Sequence, residues 1–152
     1  MGNRGYDLLW GTTLRTTTRL HKLLDRVSGG RLGHRFPGGQ QIIWVTTLGR
    51  KSGEWRRTPL MAVHENDDPA KPWIITGSNA GQATVPGWVF NVRAHDEGTV
   101  EIDGQSSPAK FAEVTGPERD DLYEQLCSIW SSYRMYERNA GRPIPVFRVI
   151  PQ

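Results

Sequence analysis

The densest chemistry in the chain lies between residues 46 and 60, Thr-Thr-Leu-Gly-Arg-Lys-Ser-Gly-Glu-Trp-Arg-Arg-Thr-Pro-Leu. Arg50, Lys51, Arg56 and Arg57 crowd one short segment with the hydroxyls of Ser52 and Thr58. Gly49 and Gly53 bound its turn, and apolar runs flank it, Ile42-Ile43-Trp44-Val45 before and Leu60-Met61-Ala62-Val63 after. Two strand-like runs joined through glycines predict a β-hairpin with a cationic tip. Guanidinium, ammonium, hydroxyl and backbone N–H donors at such density suit a ligand carrying several phosphates or carboxylates, rather than a metal or a neutral sugar. A solvated basic hairpin tip accounts for the same residues.

A second group, Thr76-Gly77-Ser78-Asn79-Ala80-Gly81, follows the apolar run Trp73-Ile74-Ile75. Small residues at a strand end let a flat ring lie against the backbone, and Ser78 can hydrogen-bond its edge; an ordinary turn needs no more. Trp130, Tyr133 and Tyr136 recur every third residue and share one face of a predicted helix, as a pocket wall or as core. His21, His34, His64 and His95 lack metal-ligand spacing, so no metal site is expected. The single Cys127 falls on an apolar helical pattern and reads as a core thiol.

The elements that must position these groups change character along the chain. Residues 7–27 read as a helix with Asp7 at its N-cap and Leu20, Leu23, Leu24 and Val27 as its apolar stripe. Residues 29–41 are rich in Gly and Pro and read as a loop. Strands are predicted near 41–48, 58–65, 72–77, 98–103, 108–114 and 145–150, with a short helix over 85–94. Thr115-Gly116-Pro117-Glu118 has the form of a capping box, opening a helix with Leu122, Leu126, Ile129, Trp130 and Tyr133 on one face. Gly141-Arg142-Pro143 stops it. Strands without βαβ alternation predict an α+β fold, a small and mostly antiparallel β-barrel with flanking helices.

At 152 residues, one core is expected. The division is an arm over residues 1–36, helix and linker, and a barrel domain over 37–152. The arm holds seven Lys/Arg against two Asp, a net +5, whereas the whole chain is +3. A basic amphipathic helix suits a lid over the site, a peripheral membrane contact or docking on the core. Without a secretory signal or a membrane-spanning run, and with one cysteine, the chain reads as cytoplasmic, with membrane association through the arm left open. Outside the arm and the hairpin tip no aromatic and basic interleaving points to nucleic acid.

Taken in order, Thr47-Leu48-Gly49-Arg50-Lys51-Ser52-Gly53, Arg57-Thr58-Pro59-Leu60, Trp88-Val89-Phe90-Asn91-Val92-Arg93-Ala94 and Arg142-Pro143-Ile144-Pro145-Val146-Phe147 closely resemble the deazaflavin-dependent nitroreductase family of actinobacteria. The resemblance runs over roughly residues 40–150. It implies a split β-barrel, of the FMN-binding type, that binds reduced 8-hydroxy-5-deazaflavin, coenzyme F420. It also implies an F420H2-dependent reductase delivering hydride to quinones, enones or nitroaromatics. By this similarity Arg50, Lys51, Ser52 and Arg57 hold the phosphate and first carboxylates, and Thr58 and Pro59 wall the ring. Ser78 and Asn79 contact ring or substrate, while Trp88 and Asn91 support the site. Trp130, Tyr133 and Tyr136 line the substrate side, and Tyr133, Ser78 and Tyr136 are the candidate catalytic groups. Asn79 stands where such proteins often carry Lys, and Gly87 replaces a larger apolar residue. Two alternatives remain at this point, a non-catalytic carrier or sensor of the same cofactor and an FMN-dependent oxidoreductase of the same fold.

Overall fold

The computed structural model describes residues 40–152 together with Thr16, Arg19, Leu20 and Leu23. Those four are helical and exposed. The expected arm helix, its apolar stripe and the loop over 29–39 otherwise lie outside the described residues, as do the arm's division from the barrel and its membrane contact.

Six strands follow in the expected order: β1 (Gln41–Leu48), β2 (Trp55–His64), β3 (Trp73–Thr76), β4 (Glu97–Ile102), β5 (Gln105–Val114) and β6 (Val146–Pro151). They close into a barrel in the order β1-β2-β3-β6-β5-β4, and every pairing is antiparallel. Strand alternation explains the closure. Ile43, Val45, Ile75, Val100, Phe111, Phe147 and Val149 meet inside the barrel, joined by Trp88, Val89 and Val92 of helix α1 (Gly87–Ala94). Ile74, Val114 and Val146 belong to a second cluster, packed with Leu122, Tyr123 and Leu126 of α2 (Gly116–Ile129) and Tyr133 of α3 (Ser132–Ala140).

The wall of this barrel is uneven. β2 pairs with β1 along its full overlap, from Trp55 to Ala62, yet meets β3 at only Val63↔Ile74 and His64↔Trp73. Among the described residues β3 reaches β2 only at those two positions, so the barrel is split between β3 and the rest of β2.

Two sequence expectations fail in the α2–α3 region. The single long helix is broken at Trp130, which takes extended angles (φ −136°, ψ 98°) and caps α2. Near the break, the Ser128 hydroxyl bonds back to the Gln125 carbonyl at 2.7 Å, and Ser131 and Ser132 follow, residues whose hydroxyls compete with the helical ladder. Trp130 thus shares no helix face with Tyr133, and Ile129 is exposed. The capping box is also absent. Thr115 makes no side-chain cap bond, Gly116 sits at φ +67°, and Glu118 bonds Arg148 instead.

Candidate functional site

The gap between β2 and β3 opens onto a cavity of about 240 Å³. Thr58, Pro59, Leu60 and Met61 form one wall, and Thr76, Ser78, Asn79 and Ala80 at the end of β3 form the opposite one. Pro86 and Trp88 come from the start of α1, and Trp130, Tyr133 and Tyr136 from the α2–α3 region. The sequence-expected Thr58, Pro59, Ser78, Asn79, Trp88, Trp130, Tyr133 and Tyr136 therefore meet in one place, although the single helix face proposed for the aromatics does not exist. Trp88 reaches it from the core, packed edge-on against Phe147.

Tyr133 is 3% exposed, and its ring stands edge-on to Tyr136 at 5.3 Å and to Tyr123 at 5.8 Å. Its hydroxyl accepts a hydrogen bond from Thr76 Oγ1 at 3.2 Å. Burial pushes the phenol up to about 12, against the counteracting Thr76 bond. The hydroxyl is accordingly protonated at neutral pH, with its lone pair engaged and its own hydrogen free to donate. The backbone of Tyr133 is fixed as well, since the Tyr123 hydroxyl donates to its carbonyl at 2.8 Å.

The basic tip forms a separate cavity of about 390 Å³, lined by Gly49, Arg50, Lys51, Ser52 and Arg56 of the hairpin and by Gly87, Phe90 and Asn91 of α1. Asn91 holds the two pieces together. Its Nδ2 donates to the buried Thr47 Oγ1 at 3.1 Å, and its Oδ1 accepts the Arg50 backbone N–H at 3.2 Å. The Arg50 guanidinium lies over Phe90, 4.9 Å from the ring centroid. Ser52 Oγ accepts the Glu54 N–H within the turn, and Arg56 pairs with Glu54. Among the described residues, no carboxylate pairs with Arg50 or Lys51. Gly87 carries no positive φ, and a Cβ there would meet nothing within 4 Å, so neither backbone nor packing demands the glycine.

The two cavities share the first turn of α1. Pro86 and Trp88 face the first, while Gly87, Phe90 and Asn91, spaced i, i+3 and i+4, face the second. That spacing was present in the sequence and would have found Phe90. Thr76 and Met61 also went unnoticed, one as the partner of Tyr133 and the other as a wall. Arg57 is the expected site residue that joins neither cavity. β2 alternation turns it away from Arg56, onto the face of Trp44 (3.8 Å to the ring centroid) and Glu101 (2.9 Å). Asn79, expected to reach ring or substrate, directs its Nδ2 to Thr84 O and Oγ1 at 3.1 and 3.2 Å. Among the described residues, no group of His, Cys, Asp and Glu could hold a metal ion, and no helix is long and apolar enough to cross a membrane.

Comparison with known proteins shows the family and the fold. The family model described as F420H(2)-dependent quinone reductase matches residues 17–151. An F420H(2)-dependent quinone reductase of Mycobacterium tuberculosis strain H37Rv is 30% identical over 135 residues, covering 84% of this chain and 85% of that protein. A solved F420-H2 dependent reductase, FDR-A, is 33% identical with a TM-score of 0.61, covering 71% of this chain and 92% of its own. The heme storage protein HutZ of Vibrio cholerae, at 8% identity and a TM-score of 0.54, is similar in fold alone.

Proposed function

The chain belongs to the F420H(2)-dependent quinone reductase family, and we propose that it transfers hydride from reduced coenzyme F420 to a quinone held in the β2–β3 opening. One observation carries this reading: a small aromatic-walled cavity and a basic cavity meet at the start of α1, which suits a flat ring with a polyanionic tail. The uncommitted charges of Arg50 and Lys51 fit the phosphate and first carboxylates of that tail, with the Ser52 hydroxyl beside them. FMN has a shorter anionic tail and makes less of this tip.

Bound there, the cofactor supplies a hydride at its ring carbon. The protein's part is positional and electrostatic. Pro59, Ala80 and Trp88, which line the cavity, would flank the ring, and Met61, Trp130 and Tyr136 would exclude water from the acceptor. The Tyr133 hydroxyl, oriented by Thr76, donates to the oxygen on which charge develops, with Ser78 as the second donor. Enones develop charge on a comparable oxygen and nitroaromatics on a nitro oxygen, so both fall within the proposed range.

The test is a titration with F420 and with FMN followed by tryptophan quenching, then steady-state oxidation of F420H2 by menadione. Tighter binding of F420 and quinone-dependent turnover are expected. Equal or tighter FMN binding would overturn the cofactor, and binding without turnover would make the protein a carrier.

A further inference from the structure

The segment connecting β3 to α1 is unusual in its backbone. Asn79, Ala80 and Gly81 take φ of 48°, 49° and 78° in succession. Asparagine tolerates the left-handed region, whereas alanine does not favour it, so the turn needs outside support. Gly81 presses on α3, where a Cβ would stand 2.9 Å from the Tyr136 Cα. Beside the Asn79 side chain, which bonds Thr84 within the loop, a support reaches in from beyond α3. Arg142 Nη2 donates to the carbonyls of Gly77, Gln82 and Thr84 at 3.2, 3.1 and 3.1 Å, and its Nε donates to Ala83 O at 3.0 Å. Among the described residues no carboxylate pairs with Arg142, and burial lowers its affinity for the proton. The guanidinium is thus committed to backbone carbonyls, four of them in this loop and a longer bond to Pro143 O at 3.4 Å.

Arg142 follows Gly141, the left-handed C-cap of α3. The helix bearing Tyr133 and Tyr136 is thereby tied to the loop bearing Ser78 and Asn79, the two walls between which the acceptor would sit. Arg142 lines a different, open cleft and not the β2–β3 cavity, so it touches neither ring nor substrate as placed here.

We propose that Arg142 is a positioning residue of the reaction, a strut that holds the Ser78–Asn79 loop at a set distance from Tyr133 and Tyr136. The inference rests on reading that cavity as the hydride-transfer site. A planar guanidinium serves several carbonyls at once; an ammonium on a flexible stem does not hold that geometry. Arg142→Lys should therefore fail to restore the site.

The experiment compares the full-length wild type with Arg142→Ala and Arg142→Lys. Amide exchange is read on the cofactor-free proteins, and kcat and KM are measured with F420H2 and menadione. Both variants are expected to exchange amides 78–84 at least about tenfold faster, with β1 and β4 unchanged. Their kcat should fall about tenfold, while F420 affinity stays within about threefold. Millimolar guanidinium, entering from the open cleft, should recover part of the Arg142→Ala kcat. Unchanged exchange at 78–84 overturns the strut, and so does wild-type kcat despite a loosened loop. Should Arg142→Ala lose its fold, Arg142→Lys carries the same readouts. A wild type without quinone turnover would count against the reading of the site, because exchange is measured without cofactor.

Discussion

The two cavities are built on opposite plans. The basic tip comes from one continuous hairpin turn, closed by backbone bonds from Gly49 N–H to Glu54 O and from Gly53 N–H to Gly49 O, both 2.8 Å. Only Asn91 and its neighbours on α1 are borrowed from elsewhere. The β2–β3 cavity is drawn from separate stretches of chain, and its central hydroxyl is placed by a bond between Thr76 and Tyr133, 57 residues apart. A contiguous site advertises itself in sequence and works through exposed charge. A discontinuous site shows its residues in sequence only as scattered pieces and works through burial and fixed distance. Substitutions should separate the two, the first plan losing affinity and the second losing rate.

The largest effect is expected at the tip. Replacing Arg50 and Lys51 together with Ala should weaken F420 binding about a hundredfold, since charge-assisted contacts contribute about 1.5–3 kcal/mol each and partly exposed ones less. The salt dependence of binding should flatten in parallel, because fewer screened contacts remain. Titration at two ionic strengths checks both. Unaltered affinity would place the anionic tail elsewhere and dissolve the contrast between the cavities.

At the other cavity, Tyr133→Phe should lower kcat/KM about tenfold, ~1.4 kcal/mol, with cofactor affinity near wild type. Because burial holds the phenol up to about 12, no loss of rate from its ionisation should appear between pH 6 and 10. The substitution also orphans the Thr76 hydroxyl, so Thr76→Val is the second arm of the comparison. Full activity in Tyr133→Phe with loss in Tyr133→Ala would make the ring a wall and leave donation to Ser78.

What sequence could show follows the same division. The six strands were readable as short runs of apolar and β-branched residues bounded by turn residues; in β1, Ile42, Ile43, Trp44 and Val45 are all buried, with Ile43 and Val45 in the barrel cluster. The Asp103-Gly104 turn joining β4 to β5 takes φ values of 49° and 81°, which these residue types accommodate. The tip was readable because its donors are neighbours in the chain. Trp130, Tyr133 and Tyr136 were found as a set for an incorrect reason, a helix that breaks at Trp130. The apolar spacing continues through the break, so periodicity could not register it. Thr76 and Arg142 stood within noted motifs, but their roles carried no signal, since these depend on distant backbone and on the Tyr133 hydroxyl.

Acid should also distinguish the plans. Glu65 is held below the usual carboxylate range by its bonds from Arg148 at 2.7 and 2.8 Å, and Arg148 also grips Glu118 of α2. A depressed carboxyl favours folding above its unfolded value, near ~4.3, and that contribution disappears as pH falls through the folded value. Glu65→Gln should cost about 1–2 kcal/mol at neutral pH, read by urea unfolding, and the cost should vanish under acid. Among the described residues, the tip's own pair, Arg56 with Glu54, is exposed on both sides. Equal stability of the variant at neutral pH would remove this ion pair from the support of α2.

The smallest effect on affinity is expected at Arg57, and it tests the comparison where the two plans adjoin. Arg56 and Arg57 are indistinguishable by composition, both cationic and both near the tip. Register separates them, Arg56 opposite the inward Thr47 and Arg57 opposite Thr46. Arg57 stacks on the buried Trp44 and pairs with half-buried Glu101, which stands opposite Trp44 across β1 and β4. Its charge is spent on the barrel wall. Arg57→Ala should therefore change F420 affinity less than about threefold while lowering stability by about 1 kcal/mol, through lost packing on the indole as much as lost charge. Arg57→Met, which keeps the stem over Trp44, should recover part of that stability. A tenfold loss of affinity in Arg57→Met at unchanged stability would show that this guanidinium leaves Glu101 for the ligand, and the tip would then extend over both faces of β2.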